Sequence, residues 1–566
     1  MDKKQKIIIL LTTIGIFLCM LDTTIMNIAL PKIQTGLDVG LENLSWALNI
    51  YTIIFAVFTI PCARIADLIG RNKIYLIGLI AFMLGSFFSG SAHNIIELIC
   101  ARGIQSLGAA IVFPASMTIG ISAVGLKSRK TVLTILGITQ GLASALGPTI
   151  GGIITQYLGW RFIFFINLPL TIAAIFLALN YLPLKNEDTI HAKIDFTGML
   201  LSMLMLFSLT FILIKGNDLG WSSSSILSLA TLAFFTFILF LIVESRSQAP
   251  MIPLTLFKNR QFIGAVLAMI LSGIFLVAVM VIMPTFFTTV LGKSELAAAF
   301  MITPAPAAIF LLSPISGRLV DITGPRLIML LGFLLILAGY LILSFSDPAH
   351  YYQLLISFIL IGGGFGIIAG PIVVLGAASF TGELLTASQS VLGLFRQIGT
   401  LLAVAIFVSA LTANLQAAKS HSLKSATARI ERTALPKPLK KAFQKTTKKV
   451  LASDGKLSAQ EQQAAIKQRT KNITQAKYTA TLAHIPDSSQ LSRQTRQEMY
   501  ATIATKVQRT ILHQETIMLH TTKKIKKEVK TNLKQAFLAP YQKALPFVLL
   551  ATFASLLFYR KKDYQH

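Results

Sequence analysis

The chain has 566 residues and a formal net charge of +28, yet only 13% of it is charged, 54% is hydrophobic and its mean hydropathy is +0.69. Soluble domains carry about 25% charged residues, so a soluble globular protein is excluded and a multispanning membrane protein is expected. The three cysteines, Cys19, Cys62 and Cys100, lie in apolar runs and offer no disulfide or metal-ligand spacing.

Apolar runs of roughly 18 to 24 residues are long enough, at about 1.5 Å per residue, to cross a hydrocarbon core of about 30 Å. They fall at 7–30, 45–62, 74–92, 95–118, 131–156, 162–182, 195–214, 224–243, 262–284, 296–315, 327–345, 351–375, 388–412 and 542–559. MDKKQK before the first run is followed by no small-residue cleavage site, so that run is expected to be a retained span. Fourteen spans put both termini on one side. The tails and loops of that side hold 19 lysines and arginines against 4 in the short loops of the other, which makes both termini cytoplasmic.

The loop after span two, ARIADLIGRNK, recurs after span ten as GRLVDITGPRL, with Arg64, Asp67 and Gly70 at the spacing of Arg318, Asp321 and Gly324. Spans one to six and nine to fourteen are then two parallel six-helix bundles, with spans seven and eight inserted between them. That is a transporter architecture with its site at the midplane. The expected fold class is an all-α membrane protein of two six-helix bundles plus two inserted helices, with an extracytoplasmic helical domain. Its expected divisions are 1–182, 195–243, 262–412, 413–541 and 542–566.

Residues 413–541 hold 25 lysines and arginines against 7 acids, a net +18. The topology places them outside, where long translocated segments escape the charge rule. With one glycine, Gly455, and much alanine, lysine and glutamine, the stretch reads as helical. Ser458 with Glu461 makes a capping box, and Ile525, Val529, Leu533 and Phe537 form a stripe at spacing four. Anionic lipid heads or cell-wall polymers are the expected partners of such a basic domain, and nucleic acid is not.

Charges inside a bilayer are costly and mark functional candidates. Asp22 in span one and Arg102 in span four lie at similar depth, about 8 and 7 residues from the same surface, or roughly 12 and 10 Å. Adjoining helices would let them pair, with an acid able to bind and release protons. Arg396 in span thirteen lies nearer the cytoplasmic end, where snorkelling to lipid phosphates is an alternative to a functional role. Glu97, His93 and Glu244 sit at span ends within reach of water. Asp67, Arg71, Lys73, Asp321 and Arg326 are expected to form a cytoplasmic latch. In span five, Gly147, Gly151 and Gly152 bare one helix face for close packing, Gly137 and Gly141 extend the ridge, and Pro148 bends it.

No GxxxxGK[ST] loop, HExxH or nucleophile elbow occurs, so neither ATP coupling within this chain nor an enzyme activity or catalytic residue is expected.

Seven stretches in order, LDTTIMNIALP, ADLIGRNK, RGIQSLGAA, LGPTIGG, GWRFIFFINLP, PLTLFKNRQF and FRQIG, together resemble the fourteen-span drug:proton antiporter branch of the major facilitator superfamily. The resemblance covers roughly 435 residues and leaves out 413–541. It implies export of amphiphilic, often cationic, compounds across the bacterial cytoplasmic membrane, driven by the proton gradient and needing no cofactor. It implies roles for Asp22, Arg102 and Gln105 in proton coupling, for Asp67, Gly70 and Arg71 in a gating loop, with Asp321, Gly324 and Arg326 in its repeat. Gly147, Pro148, Gly151 and Gly152 become the antiporter hinge, and Arg396 and Asn27 are further candidates. Ala63, Leu68, Ser106 and Ala143 depart from the family pattern. One deep acid against two intramembrane arginines would also suit a neutral, zwitterionic or anionic amphiphile. The alternative expectation is therefore an exporter or flippase of a lipid or cell-wall component assisted by the basic domain. A third is an envelope-binding module on a transport-dead scaffold.

Overall fold

A computed structural model describes the chain except residues 186, 188, 190–194, 248–249, 348–349, 381, 454–471, 485–491 and 565–566, and every regular element among the described residues is a helix. The Ser458–Glu461 pair lies outside the described residues. Thirteen described helices are long and apolar enough to cross a membrane, or fourteen when Thr131–Ala143 and Leu146–Tyr157 count as one bent span. The bend there is 47°. Its cause is Pro148, whose ring crowds the carbonyl four residues back and whose missing N–H opens the helix at that point.

The chain divides into two compact units, one of Met1–Ala410 with Leu538–His566 and one of Leu411–Phe537. In the first unit, span three (Arg71–Ser91) packs on span four (Ile95–Ser122), span one (Lys3–Leu37) on span five (Leu126–Tyr157), and span two (Leu41–Ile69) on span four. The second half repeats the scheme, with span ten (Glu295–Thr323) and span eleven (Pro325–Phe345) each packed on span twelve (Tyr351–Leu375). Small residues set these distances. A Cβ on Gly108 would stand 2.7 Å from the Gly78 carbonyl oxygen, and one on Gly364 would stand 2.5 Å from that of Gly332. Gly78 and Gly332 both lie 8 residues beyond the loop glycines Gly70 and Gly324, so the sequence repeat continues as a repeat of helix contacts. Spans seven (Phe196–Leu219) and eight (Ser224–Arg246) pack on each other, and span seven rests on span two through Trp46 and Phe211, 6.1 Å between ring centroids.

The second unit is built from the end of helix Gly382–Glu431, helix Lys437–Ser453 and the start of helix Arg493–Ala551. Its core joins Ala426, Ile430, Leu435, Leu439, Phe443 and Ile525, with Ile517, Met518 and Val529 packed against it. Two members of the spacing-four stripe, Ile525 and Val529, thus do enter a core. Helix Arg493–Ala551 runs through the expected boundary at 541/542 without a break. Helix formers on both sides, Gln535, Ala536, Leu538 and Ala539 before and Gln542, Lys543 and Ala544 after, carry it through although Pro540 and Pro546 lie within it.

Candidate functional site

Asp22 and Arg102 are 0% and 1% exposed, and an Arg102 Nη1–H donates to Asp22 Oδ2. Isolated burial of either ion would cost several kcal/mol. The surroundings offset this with complete donor coverage of the carboxylate. Gln105 Nε2 donates to Asp22 Oδ1 at 2.8 Å, and Asn167 Nδ2 to the same oxygen at 3.2 Å. Arg102 also donates to Gln105 Oε1 (2.8 Å) and to the Ala47 carbonyl (3.4 Å), and its guanidinium lies 4.2 Å from the Tyr51 ring centroid and 5.7 Å from that of Phe164. Ser86 Oγ closes the network, accepting from Gln105 Nε2 at 2.7 Å and Asn167 Nδ2 at 3.3 Å. Five side chains on spans one, three, four and six, all buried, therefore share one charge pair.

Arg102 and Gln105 lie three apart on one face of span four, which is why both reach Asp22. Ser106 hydrogen-bonds the Tyr51 carbonyl and so ties span four to span two at a position where the family pattern has glycine. Ser86, Tyr51 and Asn167 were not singled out from the sequence. Asn167 lies within GWRFIFFINLP, and its polar amide in an aromatic run was the available signal; Ser86, between Gly85 and Phe87, is one of several serines in the span and gave none. Asn27 is exposed on span one and is not brought into the network.

The two repeated loops differ. In the first, Arg71 Nε bonds Asp67 Oδ1 at 2.6 Å, and Gly70 takes φ +125°. Glu187, beyond span six, lies across that glycine and accepts from the backbone N–H groups of Asn72 (2.7 Å) and Lys73 (3.1 Å), the positive end of span three. In the second, Gly324 takes φ +86°, the Arg326 N–H donates to the Tyr559 carbonyl at 3.3 Å, and a Cβ on Gly324 would meet the Lys561 backbone at 2.9 Å. Asp321 is exposed.

The glycines of span five do not form a single ridge. Gly147 faces Thr24 and Gly151 faces the Ile25 carbonyl, 2.5 Å from an added Cβ, so these two seat the span on the helix of Asp22. Gly137, Gly141 and Gly152 face Val373, Ile309 and Ala299 of the second half. Gly152 follows Gly151 directly, and the roughly 100° turned per residue around the helix carries it from span one to the second half. Span five is also bonded to the second half at both ends. Thr149 and Thr303 hydroxyls meet at 2.9 Å, and Arg129 Nη2 donates to the carbonyls of Ala377 (3.0 Å) and Phe380 (2.7 Å).

Arg396 does not snorkel. Its guanidinium touches Met20 and lies 5.7 Å from the Phe113 ring centroid, so a cation of the second half is presented to spans one and four. Glu244 is not in water either: it is 3% exposed and accepts from the N–H groups of Met251 (3.1 Å) and Ile252 (3.3 Å), pinning the segment before span nine. His93 and Glu97 are exposed, as expected of span ends. Among the described residues no group of three or more His, Cys, Asp or Glu could hold a metal ion.

Two repeated helical halves, a bent helix bonded across their interface and a buried ion pair beside it define a membrane transporter rather than an enzyme. The chain belongs to the Major Facilitator Superfamily, whose pattern it matches over residues 12–404. It is 33% identical over 430 residues to multidrug resistance protein Stp of Mycobacterium tuberculosis, covering 75% of this chain and 79% of that one. It is 33% identical over 403 residues to multidrug transporter protein MdtP of Bacillus subtilis (70% and 74%), and 29% over 372 residues to riboflavin transporter RibZ of Clostridioides difficile (65% and 80%).

Proposed function

We propose that this protein exports amphiphilic drugs across the bacterial cytoplasmic membrane by exchanging them for protons. The observation that carries this reading is the fully buried Asp22 held by Arg102, Gln105 and Asn167. Three donors stabilise the ionised acid, and protonation removes its half of the ion pair, which gives the network two states separated by one proton. The names of Stp and MdtP support a drug as the cargo. Arg396, which faces Met20 and Phe113, favours cargo with a carboxylate or carbonyl beside its apolar part, while Asp22 can meet a single positive charge only once it is released from Arg102. Alternating access then requires the two bonded ends of span five to open in turn, Thr149–Thr303 on one side and Arg129 with Ala377 and Phe380 on the other. The bend at Pro148 and the close seat of Gly147 and Gly151 on span one link that rocking to the helix of Asp22.

The test is transport of a monovalent cationic dye into proteoliposomes under an imposed proton gradient, with Asp22→Asn for comparison. Gradient-dependent movement that the variant loses supports the reading; movement that persists in the variant removes Asp22 from coupling.

A lipid-linked cargo is the second reading, favoured by one observation in the basic unit. A groove of about 510 Å³ there has Lys477, His484 and Lys506 around Ala480, Thr481, Ile503 and Val507, a cationic rim over an apolar floor that suits an anionic lipid headgroup. Envelope lipids unchanged in a Lys477→Gln/Lys506→Gln strain would sink this reading.

A further inference from the structure

Asn167 is 1% exposed, its Nδ2 donates to both Asp22 Oδ1 and Ser86 Oγ, and its Oδ1 is buried without a hydrogen-bond partner. A buried acceptor left unpaired costs free energy, so its retention beside the one deep acid calls for a state in which it is paired. The ionised network has no use for it. A carboxylate accepts only, and Asp22 already takes donors from Arg102, Gln105 and Asn167.

A protonated Asp22 has the opposite need. Its Oδ2 is held by Arg102, so an arriving proton bonds to Oδ1. That O–H must find an acceptor, and the group then facing Oδ1 is an amide NH₂, a donor. We propose that the Asn167 side-chain amide turns through a half rotation when Asp22 is protonated, replacing Nδ2 with Oδ1, and so reads the protonation state of the transporter. In the turned state Asn167 Oδ1 accepts from the Asp22 O–H and from the Ser86 hydroxyl, which is free to rotate its proton toward it. Gln105 Nε2 continues to donate to Asp22 Oδ1, and Arg102 keeps Gln105 Oε1 and the Ala47 carbonyl. The proton comes from water and no bond other than O–H is made. Carboxamide O and N are nearly the same size, so the turn needs no repacking; Nδ2 then occupies the place where Oδ1 had no partner, so each state leaves one end of the amide unpaired and the choice is set by whether Asp22 offers an acceptor or a donor.

Asn167 is the fourth residue after Ile163 along span six, whose break between Phe165 and Asn167 carries the aromatic pairs Trp160–Phe164 and Phe162–Phe165. The turn therefore acts where span six begins, on the helix that packs against spans one and three. Asn167 is a positioning residue: it sets which partner the acid has in each state.

The inference rests on Asp22 being the proton carrier, and infrared difference spectroscopy of full-length protein in nanodiscs separates the two claims. Acidification should produce an acid carbonyl band that is absent in Asp22→Asn. In wild type containing asparagine ¹³C-labelled in its side-chain amide, the same step should shift one amide carbonyl band to lower wavenumber, as a carbonyl does when it begins to accept. In Asn167→Leu, which keeps the volume and removes both bonding modes, the Asp22 acid band should move to higher wavenumber, and Asn167→Thr should return part of that shift. An amide band unmoved across the Asp22 titration, or an acid band at the same position in wild type and Asn167→Leu, overturns the switch; the first of these needs no variant and so does not depend on the folding of one. If the amide band moves but no cationic dye is transported, the switch stands and the drug reading falls; if dye moves with the gradient and the amide is silent, the switch falls alone.

Discussion

The same helix positions meet in both halves of the membrane unit, and they meet in opposite chemistry. The offset of 254 residues from Gly70 to Gly324 also takes Ser86 to Tyr340 and Asp22 to Leu276. Where the first half has an ion pair and three amide or hydroxyl partners, the second has Tyr340, whose hydroxyl donates to the Phe275 carbonyl at 2.7 Å, and Tyr541, whose hydroxyl reaches that of Ala278 at 3.3 Å. The two tyrosine rings stack edge to face at 5.7 Å, and Phe275 and Phe407 pack on them at 5.5 and 5.9 Å. One fold position thus has two fillings. The aromatic one is a stable apolar joint with its hydroxyls satisfied. The ionic one is held together by charge, so a single proton can reorganise it. Under the proposed proton exchange, this asymmetry puts coupling in the first half and makes the second a frame for it to move against.

The largest effect is expected from breaking the ionic joint one-sidedly. Asp22→Ala or Arg102→Met leaves the partner charge buried alone and should destabilise the protein by about 3–5 kcal/mol. The double variant Asp22→Leu/Arg102→Met, which removes both charges, should recover most of that stability and none of the transport. Unfolding in detergent, followed by helical circular dichroism, checks both; a double variant no more stable than the singles would mean that the pair is needed to hold the half together. Gly151→Val comes next. Its branched Cβ would stand 2.5 Å from the Ile25 carbonyl, and such overpacking typically costs about 1–3 kcal/mol. Transport should fall further than stability does, because the seat of span five on the helix of Asp22 is then wedged. The aromatic joint should be far more forgiving: Tyr340→Phe removes one hydrogen bond, worth about 1 kcal/mol, and should leave proton-coupled transport close to wild type.

This contrast also marks what could be read from the chain. The repeat, the fourteen spans and the pairing of Asp22 with Arg102 were legible because charge in an apolar run is rare and helix depth follows from counting residues. Asn167 and Ser86 were not, because a neutral polar residue in a span is common and its partners depend on which helix faces which. The single ridge expected of the span-five glycines failed for a related reason. Residues four apart do share a face, as Gly137 with Gly141 and Gly147 with Gly151, but the step from Gly141 to Gly147 and the single step from Gly151 to Gly152 each turn around the helix, so these glycines meet span one and the second half in turn. Arg396 and Glu244 were misplaced by their nearness to span ends, since distance along a helix does not say whether a side chain points out to lipid and water or in to a neighbour.

The two repeated loops give the smallest and sharpest version of the comparison. Each half lays the segment after its last span across the glycine of its loop, but the first brings the Glu187 carboxylate and the second the Lys561 backbone. The carboxylate sits at the N-terminal end of span three, where a negative charge contributes about 0.3–1 kcal/mol, whereas a backbone contact carries no such dependence on the side chain. Glu187→Gln should therefore weaken the first latch by about that amount and raise hydrogen exchange in 66–73, the stretch that holds Asp67 and Arg71. Lys561→Ala should leave 320–327 within about 0.5 kcal/mol of wild type, as expected where a side chain takes no part. Equal responses in the two loops would mean that the two contacts are interchangeable; a response confined to the first would place charge control in the half that holds Asp22, the proposed proton carrier.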